Sequence, residues 1–386
     1  MTAPGPLLAA DEMLTHQIAD TFARVSQSDR AWTEKVWAMA AAADGSLSIA
    51  FGLGKYVNRN VMDAFAGVSR GTEQWVVRAS RRLAPRPEDT AVGPVRYAVP
   101  DPLRTVRLVL EPNDEAAIAF DLEVTGVCPP ALEERESHLS RSRFRVDADV
   151  VRFHQAGAAR GWVEVAGERA AVEEASWVGA RDRSWGVRYA VGAPPDDVEP
   201  APRPADTSTL VLWMPVAMTA PDGARSTLFV YHQHHSGAGW STGSSQGAIE
   251  HPDGRREPFR EIVPRLGFRD DNRRLVGGTL VCVDGLGEAH ELRVAPVSDT
   301  GFHLGAGLYG GLDGHWHGQW RGDRHVEGEH VTGCDQPAVA RRLHQHRDCV
   351  VRVDDPVTGA TGVGTLQSIV VGPHPDLGLT AEASFD

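Results

Sequence analysis

Hydrophobic and polar positions alternate along much of this chain. In Ile-Ala-Phe-Asp-Leu-Glu-Val, residues 118–124, Ile118, Phe120, Leu122 and Val124 alternate with Ala119, Asp121 and Glu123, the period of a strand that buries one face. Shorter runs of this kind recur in TVRLVLEP, GWVEVAG, TLVLWMPV, STLFVYH, TLVCVDG, CVVRVDD and LQSIVVG, separated by NDE, DG and TGATG turns. A helical period occurs near the start, where Met13, Leu14, Ile18 and Phe22 follow Asp11 and Glu12, and predicts one short N-terminal helix. The strand pattern sets in at about residue 45. The prediction is an all-β chain, mostly antiparallel, built as sandwiches or barrels.

One stretch breaks the pattern. VGAPPDDVEPAPRPADTS, residues 191–208, replaces strand residues with prolines and acids and reads as a linker. At 386 residues the chain exceeds one ordinary core. The expected units are 1–200, carrying the N-terminal helix, and 201–386. Forty glycines and 25 prolines suit the many turns this needs.

The net charge of −13 argues against nucleic acid and anionic membrane as partners, because phosphate binding relies on clustered Lys and Arg. A hydrophobic small molecule is the expected partner, and a homo-oligomer stays open. Cys128, Cys282, Cys334 and Cys349 form no Cys-x-x-Cys pair, which fits a reducing compartment and buried, inert thiols. The N-terminal stretch has no basic region ahead of an apolar core, and nowhere do eighteen apolar residues run together. A cytoplasmic protein without a membrane span is expected.

Chemistry concentrates in GARDRSWGVR, residues 179–188. Three charges and a tryptophan between two glycines, with Arg188 just beyond, fit either a buried ion-pair clasp or a site. On a strand, Arg181, Arg183 and Trp185 would share one face, and Asp182 and Ser184 the other. A buried Asp182 would be held protonated and could act as an acid, but Arg181, Arg183 and Arg188 would favour its carboxylate. Both readings stay open from the residues alone.

The segment FHQAGAARGWVEVAGERAAVEEASWVGARDRSWGVR, followed by HGQWRGDRHVEGEH and TGVGTLQSIVVGPHP, resembles the double-lipocalin group around carotenoid 1,2-hydratase (hydroxyneurosporene synthase) and the AttH-like proteins. It is most similar to the actinobacterial branch of that group. The resemblance implies two tandem lipocalin-like antiparallel β-barrels. It also implies cofactor-free, acid-catalysed hydration, dehydration, cyclisation or isomerisation of a terpenoid, steroid or polyketide-like molecule.

Asp182 is the candidate proton donor, and Trp177, Trp185, Arg188, Tyr189, Trp213 and His232 are the candidate ligand contacts. Tryptophans facing into a barrel can line an apolar cavity or steady a developing cation. The pairs His232/His234, His315/His317 and His344/His346 have the i, i+2 spacing of β-built metal sites, yet no His-Glu-x-x-His is present and no metal or other cofactor is assigned. GWSTGSSQG is not a nucleophile elbow, and neither FGLGK nor GLGEAH sits in a dinucleotide fingerprint. The leading expectation is a lyase or isomerase. A carrier of lipophilic ligands and a His-bound metalloenzyme are the alternatives.

Overall fold

The computed structural model describes residues 7–14, 16, 27–139, 145–198 and 207–381, and nearly all their regular structure is extended. The first half supplies β1 (Trp32–Ala42), β2 (Ser48–Tyr56), β3 (Val61–Arg70), β4 (Glu73–Arg82), β5 (Ala91–Val92), β6 (Val95–Asp101) and β7 (Thr105–Leu110). It continues with β8 (Ile118–Gly126), β9 (Ala131–Leu132), β10 (Glu136–Leu139), β11 (Val146–Val165), β12 (Glu168–Val172) and β13 (Trp177–Val187). The second half begins with β14 (Thr207–Thr219), β15 (Arg225–Gly237), β16 (Trp240–Glu250), β17 (Arg256–Pro258), β18 (Glu261–Phe268) and β19 (Leu275–Val283). Last come β20 (Ala289–Pro296), β21 (Phe302–His303), β22 (Arg324–Val331), β23 (His346–Asp354) and β24 (Thr361–Val371). The architecture is all-β: two strongly curled antiparallel sheets, of 14 and 10 strands among the described residues, consistent with tandem lipocalin-like barrels.

The alternation at residues 118–124 becomes strand β8, with Ile118, Phe120, Leu122 and Val124 buried and Asp121 and Glu123 half-buried. Strand structure starts earlier than expected, at Trp32, because β1 to β3 are buried almost throughout and therefore show no alternation to read. On β1, Val36, Ala38 and Ala40 enter the first barrel's core, and Trp37, Met39 and Ala41 enter a separate cluster between the sheets. Near the N-terminus Ala9–Glu12 forms a 3-10 turn. The rest of the expected helix lies largely outside the described residues, as do residues 199–206 of the proline-rich stretch.

The sheets meet back to back. Trp37, Met39 and Ala180 of the first pack with Trp213, Phe229 and Phe302 of the second half. Trp37 and Trp213 meet edge to face at 5.4 Å, a favoured aromatic geometry. The pairing also crosses the halves: β22 hydrogen-bonds to β4 and so forms an edge of the first sheet.

Candidate active site

β13 runs between β1 and β11, and strand alternation sorts the segment 179–188 into two faces. The rungs Gln155–Arg181–Ala38 and Phe153–Arg183–Val36 turn one way, and His154–Asp182–Trp37 and Arg152–Ser184–Lys35 turn the other. The glycines that bound the segment permit this close stacking. A side chain at Gly179 would come within 2.7 Å of Val124, and Gly186, at φ +131°, would press one to 2.0 Å from the Asp149 carbonyl.

The face turned into the first barrel is the clasp. Arg181 donates to both oxygens of Glu12 at 2.6 and 2.8 Å and to Gln155 at 2.9 Å. Glu12 also accepts from the Leu103 amide at 2.9 Å. Burial alone would raise the Glu12 carboxyl, but the Arg181 guanidinium outweighs it and holds the group below its ordinary value. Arg183 pairs with buried Glu34 and donates to the Met13 carbonyl at 2.8 Å. These carboxylates satisfy guanidiniums that would otherwise be stranded in the interior.

The opposite face opens on a cavity of about 1300 Å³ between the sheets, where Asp182, Lys35, Arg152 and Arg188 line the first-sheet wall. Trp213, Tyr231 and Gln367 line the facing wall, and Tyr309, His317 and His346 also line the cavity. Burial raises the Asp182 carboxyl above its ordinary value; Arg152, Arg188 and Lys35 pull the other way and are outweighed. Among the described residues its one hydrogen-bond donor is the Ser184 hydroxyl at 3.4 Å, and Ser184 in turn accepts from Arg188.

Lys35 is 3 % exposed, and burial, helped by Arg188, brings its ammonium down to about 7. Its Nζ sits 3.9 Å over the Tyr309 ring, a cation–π contact. Tyr309 meets His317 and His346 edge to face at 4.8 and 5.2 Å. Burial pushes both imidazoles down to about 4, so they are neutral at neutral pH.

Behind Asp182, on its own rung, His154 is fully buried between Glu133 at 3.3 Å and Glu250 at 3.0 Å. Burial opposes its charge, but the two carboxylates outweigh burial and raise it to about 8. Glu133 also accepts from Arg152 at 3.1 Å and from the Trp213 indole at 2.9 Å. The cluster therefore ties β11 of the first sheet to β14 and β16 of the second.

Of the residues expected from the sequence, Asp182, Arg188, Tyr189 and Trp213 gather at the cavity, with Tyr189 half exposed at its edge. Three expected contacts lie elsewhere. Trp177 is part of the first barrel's core, because it shares the inward face with Arg181. Trp185, on that same inward face, stacks on His16 at 3.6 Å. His232 is paired with Leu212, a core residue of the second barrel, and bonds Ser245 at 2.7 Å. Sequence reasoning missed Lys35, Arg152, Tyr231 and Tyr309. The one available signal was Lys35 in WTEKVW, a charge two positions from a tryptophan on the same strand face. The pairs His315/His317 and His344/His346 do contribute His317, His344 and His346 to the cavity lining. Among the described residues, however, no group of three or more His, Cys, Asp or Glu side chains could hold a metal ion.

A family profile matches residues 7–380 of the chain. The chain belongs to DUF8625, a family of unknown function. No protein of curated function matches this DUF8625 member in sequence. Among solved structures it is similar to a provisional AttH from Nitrosomonas europaea, with 11 % identity, a TM-score of 0.50, and coverage of 88 % of this chain and 92 % of that one. That likeness shows the fold. Kievitone hydratase from Nectria haematococca is more distant, with 10 % identity, a TM-score of 0.41, and coverage of 87 % and 88 %. CghA with Sch210972 shows 13 % identity, a TM-score of 0.49, and coverage of 88 % of both chains.

Proposed function

We propose that the cavity is the active site of a cofactor-independent lyase or isomerase in which Asp182 delivers a proton to a lipophilic molecule of terpenoid, steroid or polyketide type. The observation that carries this reading is the division of labour on β13. Arg181 and Arg183 are bound to Glu12 and Glu34 on one face, and Asp182 stands on the other at the wall of a large cavity, with its carboxyl held toward the protonated form. An acid so placed can protonate an alkene carbon or a departing hydroxyl. The rings of Trp213 and Tyr231 on the opposite wall would face the cation that results.

In hydration, water adds to that cation and the oxonium returns its proton to the Asp182 carboxylate. In isomerisation, the neighbouring carbon gives up the proton instead, to the Asp182 carboxylate. The test is incubation of candidate alkenes with the protein in D2O. The expected result is deuterium at carbon with the native protein and none with Asp182→Asn. A ligand that binds tightly and gains no deuterium would make the protein a carrier and overturn the proposal.

A further inference from the structure

We infer that the ligand of this cavity is a lipophilic acid, whose anionic oxygen is held by Lys35 and Arg188. The inference rests on the reading of the cavity as the functional site and names the chemical class that fits it. Three cations line the cavity from the first sheet and the residues just after it, and they differ in what satisfies them. Arg152 is engaged, with Glu133 at 3.1 Å and Glu136 at 3.2 Å. Lys35 is buried and meets the Tyr309 ring, with no carboxylate in ion-pairing reach among the described residues. The half-buried Arg188 guanidinium donates to the Ser184 hydroxyl and likewise has no carboxylate in reach among the described residues.

Burying cations without partners is costly, and the two arginines on β13, Arg181 and Arg183, each meet a carboxylate. Two cations left open at the wall of one cavity therefore point to an anion supplied from outside. A guanidinium and an ammonium suit a carboxylate or an acidic enol oxygen, since bonds between charged partners are the stronger kind. His317 offers a third polar group, because its ring lines the cavity, its Nδ1 lies 3.5 Å from Asp63, and its Nε2 is buried without a partner in the described structure. The remaining wall, with Trp213, Tyr231 and Ile369, suits an apolar body.

The assignment also bears on the proton. Arg188 and Lys35 are two of the charges that draw the proton off Asp182, so an anion bound to them weakens that pull and leaves the acid charged with its proton when substrate is present.

The test uses 1-pyrenebutyrate and its methyl ester, which share one apolar body and differ in charge, titrated by fluorescence into the full chain at pH 6.5. The acid should bind about tenfold tighter or more, as expected for one charge-assisted contact. Arg188→Met and Lys35→Met should each bring the two affinities together, mainly by weakening the acid. Melting curves of both variants confirm that the fold is kept, and the native protein's acid-to-ester ratio decides the matter even if a variant does not fold. Equal affinities in the native protein, binding of neither probe, or a preference unchanged in both folded variants overturns the inference. Acid preference without deuterium transfer in the alkene assay would sink the catalytic reading and leave this one standing. Deuterium transfer with no acid preference would do the reverse.

Discussion

Replacing Asp182 by Asn removes a transferable proton and keeps the side chain's shape. Turnover should fall by about 10² to 10⁴, the usual loss for a general acid, with melting near native and ligand binding retained. Arg181→Met, one residue away, should do the opposite kind of damage: it strands buried Glu12, which Arg181 grips through both oxygens, and should cost about 3–5 kcal/mol in denaturant unfolding. A chain in which Asp182→Asn unfolds and Arg181→Met does not would exchange the two roles. The opposition of Arg181 and Asp182 was legible in the sequence, since neighbours on a strand must point apart. The partners of Arg181 and Arg183 were not, because Glu12 and Glu34 lie 169 and 149 residues away and nothing local marks them. The same blindness misplaced Trp177 and Trp185: alternation says that they share a face with the arginines, but not that this face fills a barrel.

At the level of elements, strands such as β8 were legible because one face is wetter than the other. β1 was not, since it is buried on the barrel side and on the junction side, and so Lys35 stayed hidden in what looked like an irregular start. The junction makes its own prediction through β11. His154 faces Glu133 and Arg152 from the first sheet, Glu250 with Arg256 behind it from the second, and the Phe229 ring. Its folded value of about 8 lies above the ordinary 6.5, so the folded state holds the proton more tightly. The resulting stability, about 2 kcal/mol, is complete below pH 6.5 and lost as pH rises through 8. Lys35, lowered to about 7, acts with the opposite sign between 7 and its ordinary 10.5, so the measurement must be a difference. The gap in unfolding free energy between the native protein and His154→Gln should narrow from pH 6 to pH 9. A gap that stays constant over that range would show that the junction holds the His154 proton no more tightly than the unfolded chain does.

For the whole molecule, the proline-rich stretch suggested two units of similar length, each with its own strands. The structure adds what no local pattern encodes: a cluster between the sheets built from both halves, and a strand of the second half paired into the first sheet. Calorimetry of the full chain should therefore show one cooperative transition, because neither sheet can lose its outer face alone. Two well-separated transitions would contradict that. The placement of β22 also bears on how the protein is made. β4 is complete by residue 82, yet the strand that covers it spans 324–331, so at about 5–20 residues per second the ribosome needs on the order of ten seconds or more to supply it. Throughout that interval the nascent first sheet offers an open row of amides and carbonyls to any neighbouring strand. Production should accordingly favour slow expression and chaperone supply, and a message truncated before codon 324 should yield aggregate rather than a smaller folded protein.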